Sequence, residues 1–454
     1  MTSTDTRAGA RTRSAWVVLA LACAGQFMVI LDASIVNVAL PAIRRELGFT
    51  ATGLPWVVNG YLLTFAGFML LGGRAADLFG HRRILVAGLF LFSASSLAGG
   101  LAPGPAVLVA ARVTQGVGAA LLAPATLAVI NTAFPEAYAR ARAFGAWSAA
   151  GGVGGMAGAV AGGALTTGLS WRWVFLINVP IGAVLIGTAL LALGAAPARR
   201  REPLDLAGAL TGTAGLAAVI YGGMRSAEHG WASVPVAAGV VLLAAFIVVE
   251  ARFAVRPMVP LRLFRIRNVA VGNGMLLLFG AVAIAMWYFT ALFLQNVLGY
   301  SALRAGLGQT PAAVTFVVVA RVAAALLPRT GVRPLVLAGC GCLVAGFGWL
   351  AQAGAGSGYV AGVLGPTLLV AAGIGLTFPT LTAAATADAP GGDEGTIGGL
   401  ATTTNQVGGS IGLAILATAA SVEDGAAGYD LVFFIAAGLG VAIAAGTVLL
   451  PRRG

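Results

Sequence analysis

The chain has 454 residues, of which 59% are hydrophobic and 9% charged, and its mean hydropathy is +0.94. Soluble domains run near about 25% charged, so the composition excludes an aqueous globular protein and places the chain in a bilayer. The net charge of +12 is carried by arginine, with no lysine anywhere; that excludes a P-loop and reads as membrane orientation, with no nucleic-acid partner expected.

Apolar runs long enough to span fall at 15–40, 54–73, 84–102, 106–131, 145–167 and 173–194, then at 206–224 and 234–251. A second series follows at 269–294, 303–327, 335–353, 359–386, 397–419 and 431–450, giving fourteen transmembrane helices in an all-α integral membrane protein. The first run is too long for the apolar core of a signal peptide and is expected to stay attached, although Arg7, Arg11 and Arg13 precede it. Loops are short, so function has to lie between helices. Basic connections at 195–204 and 250–268 flank the seventh and eighth runs. They divide the chain into a six-helix bundle (1–194), a linker with two inserted helices (195–268) and a second six-helix bundle (269–454), the layout of a duplicated secondary transporter with a spacer. A short echo supports the duplication: DLFGHR at 77–82 and PRTGVR at 328–333 occupy the same place in each half, Gly80 matching Gly331 and Arg82 matching Arg333.

Arginines sum to twenty on the side of both termini against five on the other, Arg44, Arg45, Arg172, Arg225 and Arg304; Arg112 and Arg321, inside runs, complete the 27. The positive-inside rule then makes both termini cytoplasmic. Cys23, Cys340 and Cys342 sit in apolar runs, and His81 and His229 are far apart, so neither a disulfide nor a metal site is expected.

Asp32 dominates the first run. It lies roughly 24 Å along from Trp16, at a depth where an ionisable group costs about 3 kcal/mol and serves a pathway or a partner charge. Arg112, in the fourth run, is roughly 9 Å below its end, and Asp32 is roughly 12 Å below the end of its own. Their depths agree within a turn. A guanidinium there supplies the counter-charge that a buried carboxylate requires, either as a fixed structural pair or as a switch broken by protonation. With Asp32 at 0°, Gln26, Asn37 and Ser34 fall near about 120°, 140° and 200°, so the acid points away from that polar face, into the first bundle.

Three stretches share a resemblance. Gly73-x-Ala75-Ala76-Asp77-x-x-Gly80-x-Arg82-Arg83 resembles the loop signature of the major facilitator superfamily, and Arg112-Val-Thr-Gln115-Gly116-Val-Gly118 resembles its fourth-span pattern. Gly145, Gly154, Gly158, Gly162 and Gly163 resemble the glycine-rich fifth-span signature of drug:proton antiporters, with Ala159 where that pattern usually has proline. LDASIVNVALPAI (31–43) and WRWVFLINVPIG (171–182) resemble the fourteen-span branch in particular.

The resemblance implies a proton-coupled exporter of a hydrophobic drug or antibiotic in the cell membrane, the alternative being an importer or uniporter of a small metabolite on the same fold. It assigns proton coupling to Asp32 and Arg112. Gly73, Asp77, Gly80, Arg82 and Arg83 form a conformational latch, and the five glycines of the fifth span a helix-packing hinge at the interface of the two halves. Gln26, Asn37, Asn59, Gln115, Trp287, Tyr288, Gln309, Asn405 and Gln406 are candidates for the substrate cavity. Asn59 stands where some cation exporters of this branch carry an acid, which argues against a divalent-cation substrate. Arg321 either snorkels to the interface or attracts an acidic substrate. No cofactor beyond the proton gradient and no enzymatic activity are expected, since the spans hold no HExxH, no paired carboxylates and no Ser/His arrangement. The partners expected are a small hydrophobic substrate, H⁺ and the lipid bilayer; the sequence does not fix the oligomeric state, a monomer being the expectation.

Overall fold

Apolar runs that must satisfy every backbone group internally have one economical solution, and the regular elements among the described residues are helices throughout. The computed structural model describes residues 3–450 apart from 51, 195–204, 226–232, 254–256, 258, 355, 388–393 and 424. The basic stretch 195–204, the boundary drawn beside it after residue 194, and His229, Arg256, Arg452 and Arg453 lie outside the described residues.

The first bundle comprises α1 (Ser3–Leu47), α2 (Trp56–Phe79), α3 (His81–Gly100), α4 (Pro105–Ala133), α5 (Ala137–Gly168) and α6 (Trp173–Ala192). The inserted pair is α7 (Leu206–Arg225) and α8 (Ser233–Val248). The second bundle comprises α9 (Arg267–Asn296), α10 (Ala302–Thr330), α11 (Val332–Leu350), α12 (Val360–Thr386), α13 (Glu394–Ala420) and α14 (Ala426–Gly446). Twelve of these helices are long and apolar enough to cross a membrane among the described residues. The other two, α5 and α13, are 32 and 27 residues long, and complete the fourteen. Their glycine and threonine content lowers their hydropathy without shortening them.

Helices overrun their apolar runs wherever the flanking residues favour helix. The stretch from Gly72 to Arg83, read from the sequence as a loop, is helical through Phe79 and resumes at His81. Only Gly80 turns the chain, at φ 93°, a conformation open to glycine and closed to most L-residues. Gly331 does the same at φ 78° between α10 and α11.

The duplication is plainer in packing than in sequence. In the first bundle α5 packs on α1, α4 on α2 and α3, and α6 on α3; in the second, α13 packs on α9, α12 on α10 and α11, and α14 on α11. Both α1/α5 and α9/α13 are crossings where backbone meets backbone. A Cβ on Gly154, Gly158 or Gly162 would stand 2.7, 2.8 and 2.6 Å from the carbonyl oxygens of Phe27, Leu31 and Ile35. Gly280 and Gly408 lie as close to the carbonyls of Asn405 and Leu277. Membrane helices gain most from such contacts, because lipid offers no hydrophobic penalty for staying apart.

Those contacts correct the hinge assignment. Gly154, Gly158 and Gly162 lock α5 to α1 inside the first bundle, away from the interface of the halves, and Gly145 has nothing within 4 Å. Of the five glycines, Gly163 meets the other half, its Cβ position 2.6 Å from the Ala302 oxygen. The seam runs along the next face of α5, where Gly306 packs on the Ala159 carbonyl and Gly152 on Val317 at 3.4 Å. Gln295 Nε2 also donates to Val38 O at 3.1 Å, and the Leu303 amide to Thr167 Oγ1 at 3.3 Å. On the other flank α2 meets α13, with the inserted α7 packed against both; Leu63, Ile220 and Ala414 form a small apolar core there.

Gly158→Ala is expected to lower stability in detergent by about 1–3 kcal/mol, because the methyl pushes against the α1 backbone and the Ser34 Cβ, neither of which can swing aside. Gly145→Ala is expected to leave it unchanged. Melting followed by size-exclusion chromatography compares the two directly.

Candidate functional site

Two helices carry the charges and a third completes the cluster. α1 delivers Asp32, fully buried at 0% exposure, and α4 delivers Arg112 at 1%. Arg112 Nη1 lies 2.6 Å from Asp32 Oδ2. The other carboxylate oxygen, Oδ1, accepts from Gln115 Nε2 and from Asn178 Nδ2, each at 2.8 Å. Arg112 and Gln115 stand three residues apart on one face of α4, so the same Nη1 also donates to Gln115 Oε1 at 2.8 Å. Asn178 follows a break after Leu176 in α6, which lets its amide turn toward α1.

The outer contacts hold these groups in register. Arg112 Nε donates to the Val57 carbonyl at 2.8 Å, and the guanidinium lies 4.3 Å from the Tyr61 ring centroid and 5.8 Å from that of Phe175. Ser96 Oγ accepts from Gln115 Nε2 at 2.6 Å and from Asn178 Nδ2 at 3.0 Å, so both amides spend both their hydrogens inside the cluster. Taking two opposite charges out of water costs more than their attraction returns unless further hydrogen bonds complete both, which is what Gln115, Asn178 and Val57 supply.

Asp32 therefore points among α3, α4 and α6, away from the polar face of α1, in line with its helical phase. On that face Ser34 Oγ donates to Gly155 O at 2.7 Å and Gln26 lies half-buried over Gly151, so part of it is spent on α5. Gln115, expected in the cavity, belongs to the Asp32 cluster. Asn59 is fully buried in α2 with neither amide atom bonded among the described residues, and Tyr288 and Gln309 are 2% and 4% exposed, so these three line no open surface. Gln26, Asn37, Trp287, Asn405 and Gln406 are half-buried. Trp287 and Tyr288 sit on a single π-turn, Ala285–Phe289, within α9.

The latch residues gather at one turn. Gly73 and Asp77 lie on α2, with Asp77 exposed, and Arg82 Nη2 donates to Leu190 O at 2.8 Å, fastening α3 to the end of α6. Arg333 repeats the contact in the second bundle through Leu450 O. Arg321 is exposed on α10. Sequence reasoning missed Asn178, Ser96 and Tyr61. Asn178 had a signal, an amide inside WRWVFLINVPIG; Ser96 and Tyr61 had none, being ordinary residues for apolar helices.

Residues 22–413 match the family model described as Major Facilitator Superfamily. The chain belongs to the major facilitator superfamily. It is 45% identical to the cephamycin export protein of Amycolatopsis lactamdurans over 90% of this chain and 85% of that one. It is 38% identical to the puromycin resistance protein of Streptomyces alboniger, over 89% of this chain and 81% of that one. Against a multidrug resistance protein of Mycobacterium tuberculosis the identity is 35%, over 86% and 73%. Among solved structures, the POT family transporter PepTSo superposes with a TM-score of 0.72 at 14% identity, covering 96% of this chain and 97% of that one. That likeness is one of fold. Within the superfamily fold, Asp32 and Arg112 lie in the first and fourth helices of the first bundle, and the inserted α7 and α8 add to the two sets of six.

Arg112→Ala leaves a buried carboxylate without its counter-charge and is expected to destabilise the protein by about 3–5 kcal/mol. Asp32→Asn in the same chain is expected to restore much of that loss, since a neutral amide needs no cation. The double-mutant cycle, read by thermal melting in detergent, checks both.

Proposed function

We propose that this superfamily member is a proton-coupled exporter of hydrophobic drugs or antibiotics, working by alternating access in the cell membrane. The observation that supports this reading most is the Asp32–Arg112 pair at 2.6 Å, a titratable group held in a dry interior beside its partner charge. The export and resistance activities named for its relatives point the same way.

With both termini cytoplasmic, as the arginine distribution implies, the Gln295–Val38 and Gly163–Ala302 contacts lie at the outer end of the seam. The conformation is then closed toward the outside. In the cycle, a proton from the outside neutralises Asp32; Arg112 keeps the Val57 carbonyl, Gln115 Oε1 and the Tyr61 face but loses its counter-ion. That change in pairing biases the two arrangements of the first bundle against the second, and the proton leaves on the cytoplasmic side. The turn at Gly80, with Arg82 fastened to the Leu190 carbonyl, holds the cytoplasmic ends in register during the exchange, while Asp77 and Arg83 stand exposed beside it with no bond among the described residues.

The substrate lies between the bundles. Gln26 Oε1, Asn37 Oδ1 and Asn405 Oδ1 are buried without a donor among the described residues in this conformation, and they serve as acceptors for a substrate once the bundles part, with Trp287 offering an apolar face. Neutral acceptors and one ring suit a hydrophobic molecule with a few donors better than an ion. No cofactor takes part, the gradient being the energy source.

In proteoliposomes with an imposed pH gradient, Asp32→Asn is expected to abolish proton-driven efflux while binding persists. Undiminished efflux would remove Asp32 from the coupling. Inward accumulation of the dye by wild-type protein under the same gradient would make the protein an importer.

A further inference from the structure

A pocket of about 590 Å³ lies away from the Asp32 cluster, where the α2–α3 turn meets the end of α6 on the side of the termini. Phe79, Arg82, Arg83, Phe90, Ile186 and Leu190 form its walls. Arg82 is committed to the Leu190 carbonyl at 2.8 Å. Arg83 is exposed, with no hydrogen bond or ion pair among the described residues. Two rings stand open beside it, Phe79 at 46% and Phe90 at 66% exposure, on a surface that continues to Leu191 at 91%.

The internal repeat separates what the turn requires from what this pocket adds. In the second bundle Gly331 turns the chain in the place of Gly80, and Arg333 bonds the Leu450 carbonyl in the place of Arg82. Counting out from the two glycines, Thr330 stands for Phe79, Pro334 for Arg83 and Gly341 for Phe90. The glycine and the first arginine are common to both copies and build the turn. The second guanidinium and both rings belong to the first copy alone, and they are part of the lining of the pocket.

A free guanidinium at the level where helices leave the bilayer, set over rings that face the acyl region, fits an anion carrying an apolar tail. Arginine's planar fork engages phosphate oxygens two at a time, and basic pockets between helices near the interface take acidic headgroups. We infer that this pocket binds the phosphodiester headgroup of an anionic phospholipid from the leaflet on the side of the termini. Arg83 pairs with the phosphate, and Phe79 and Phe90 lie along the acyl chains.

The test uses the full-length protein in detergent, with bound lipid counted by native mass spectrometry after addition of phosphatidylglycerol, phosphatidylcholine or inorganic phosphate. Wild type is expected to retain phosphatidylglycerol in preference to phosphatidylcholine. Arg83→Gln is expected to weaken that retention about fivefold, and Arg83→Lys to restore most of it. Arg142→Gln, an exposed arginine at the same end on α5, is expected to change nothing. Equal retention by Arg83→Gln and wild type, or equal loss in Arg142→Gln, would overturn the assignment, as would displacement of the lipid by inorganic phosphate alone. Phe90→Ala supplies a second variant should Arg83→Gln fail to fold; it too is expected to weaken phosphatidylglycerol, and unchanged retention would count against the site.

Discussion

A carboxylate cannot be left bare in a medium that neither solvates it nor supplies a proton donor, and much of the first bundle is arranged around meeting that demand at Asp32. Its two oxygens take three donors from two helices, and the cation among those donors is itself completed by the Val57 carbonyl and the Tyr61 ring. Five helices thus contribute to one ion pair: α1, α2, α3, α4 and α6. Under the proposed coupling, a change of protonation at Asp32 acts on all five helices at once.

Rigidity comes from the glycine crossings. Where Gly154, Gly158 and Gly162 bring α5 onto the α1 backbone, and Gly280 and Gly408 join α9 to α13, the helices approach more closely than side chains would permit. Each bundle is therefore stiff along its own length. The seam between bundles uses the same device where Gly306 meets the Ala159 carbonyl and Gly163 the Ala302 oxygen, and adds single hydrogen bonds such as Gln295 to Val38.

The two copies of the repeat make a useful contrast. Both keep a glycine turn and an arginine fastened to the end of the sixth helix, Gly80 with Arg82 and Gly331 with Arg333, so these are demands of the architecture. Among the described residues, only the first copy carries a fully buried acid with an arginine opposite it and the open guanidinium of Arg83.

Much was legible in the order of residues alone. Hydropathy locates fourteen helices because lipid imposes one secondary structure on any apolar run of that length. The depth of Asp32 and Arg112, and the phase that turns the acid from Gln26 and Asn37, follow from helical periodicity. Sequence alone did not reveal which helix face meets which neighbour. The spacing of Gly154, Gly158 and Gly162 marks a groove, yet only packing assigns it to α1 and leaves the seam to Gly152, Ala159 and Gly163. Likewise Gln115 looks like a cavity residue until Asp32 is placed beside it, and Ser96 and Asn178 acquire a role only when four helices converge. One-dimensional patterns encode local periodicity and transfer energy, whereas the partners of a buried polar group are set by contacts between residues far apart in the chain.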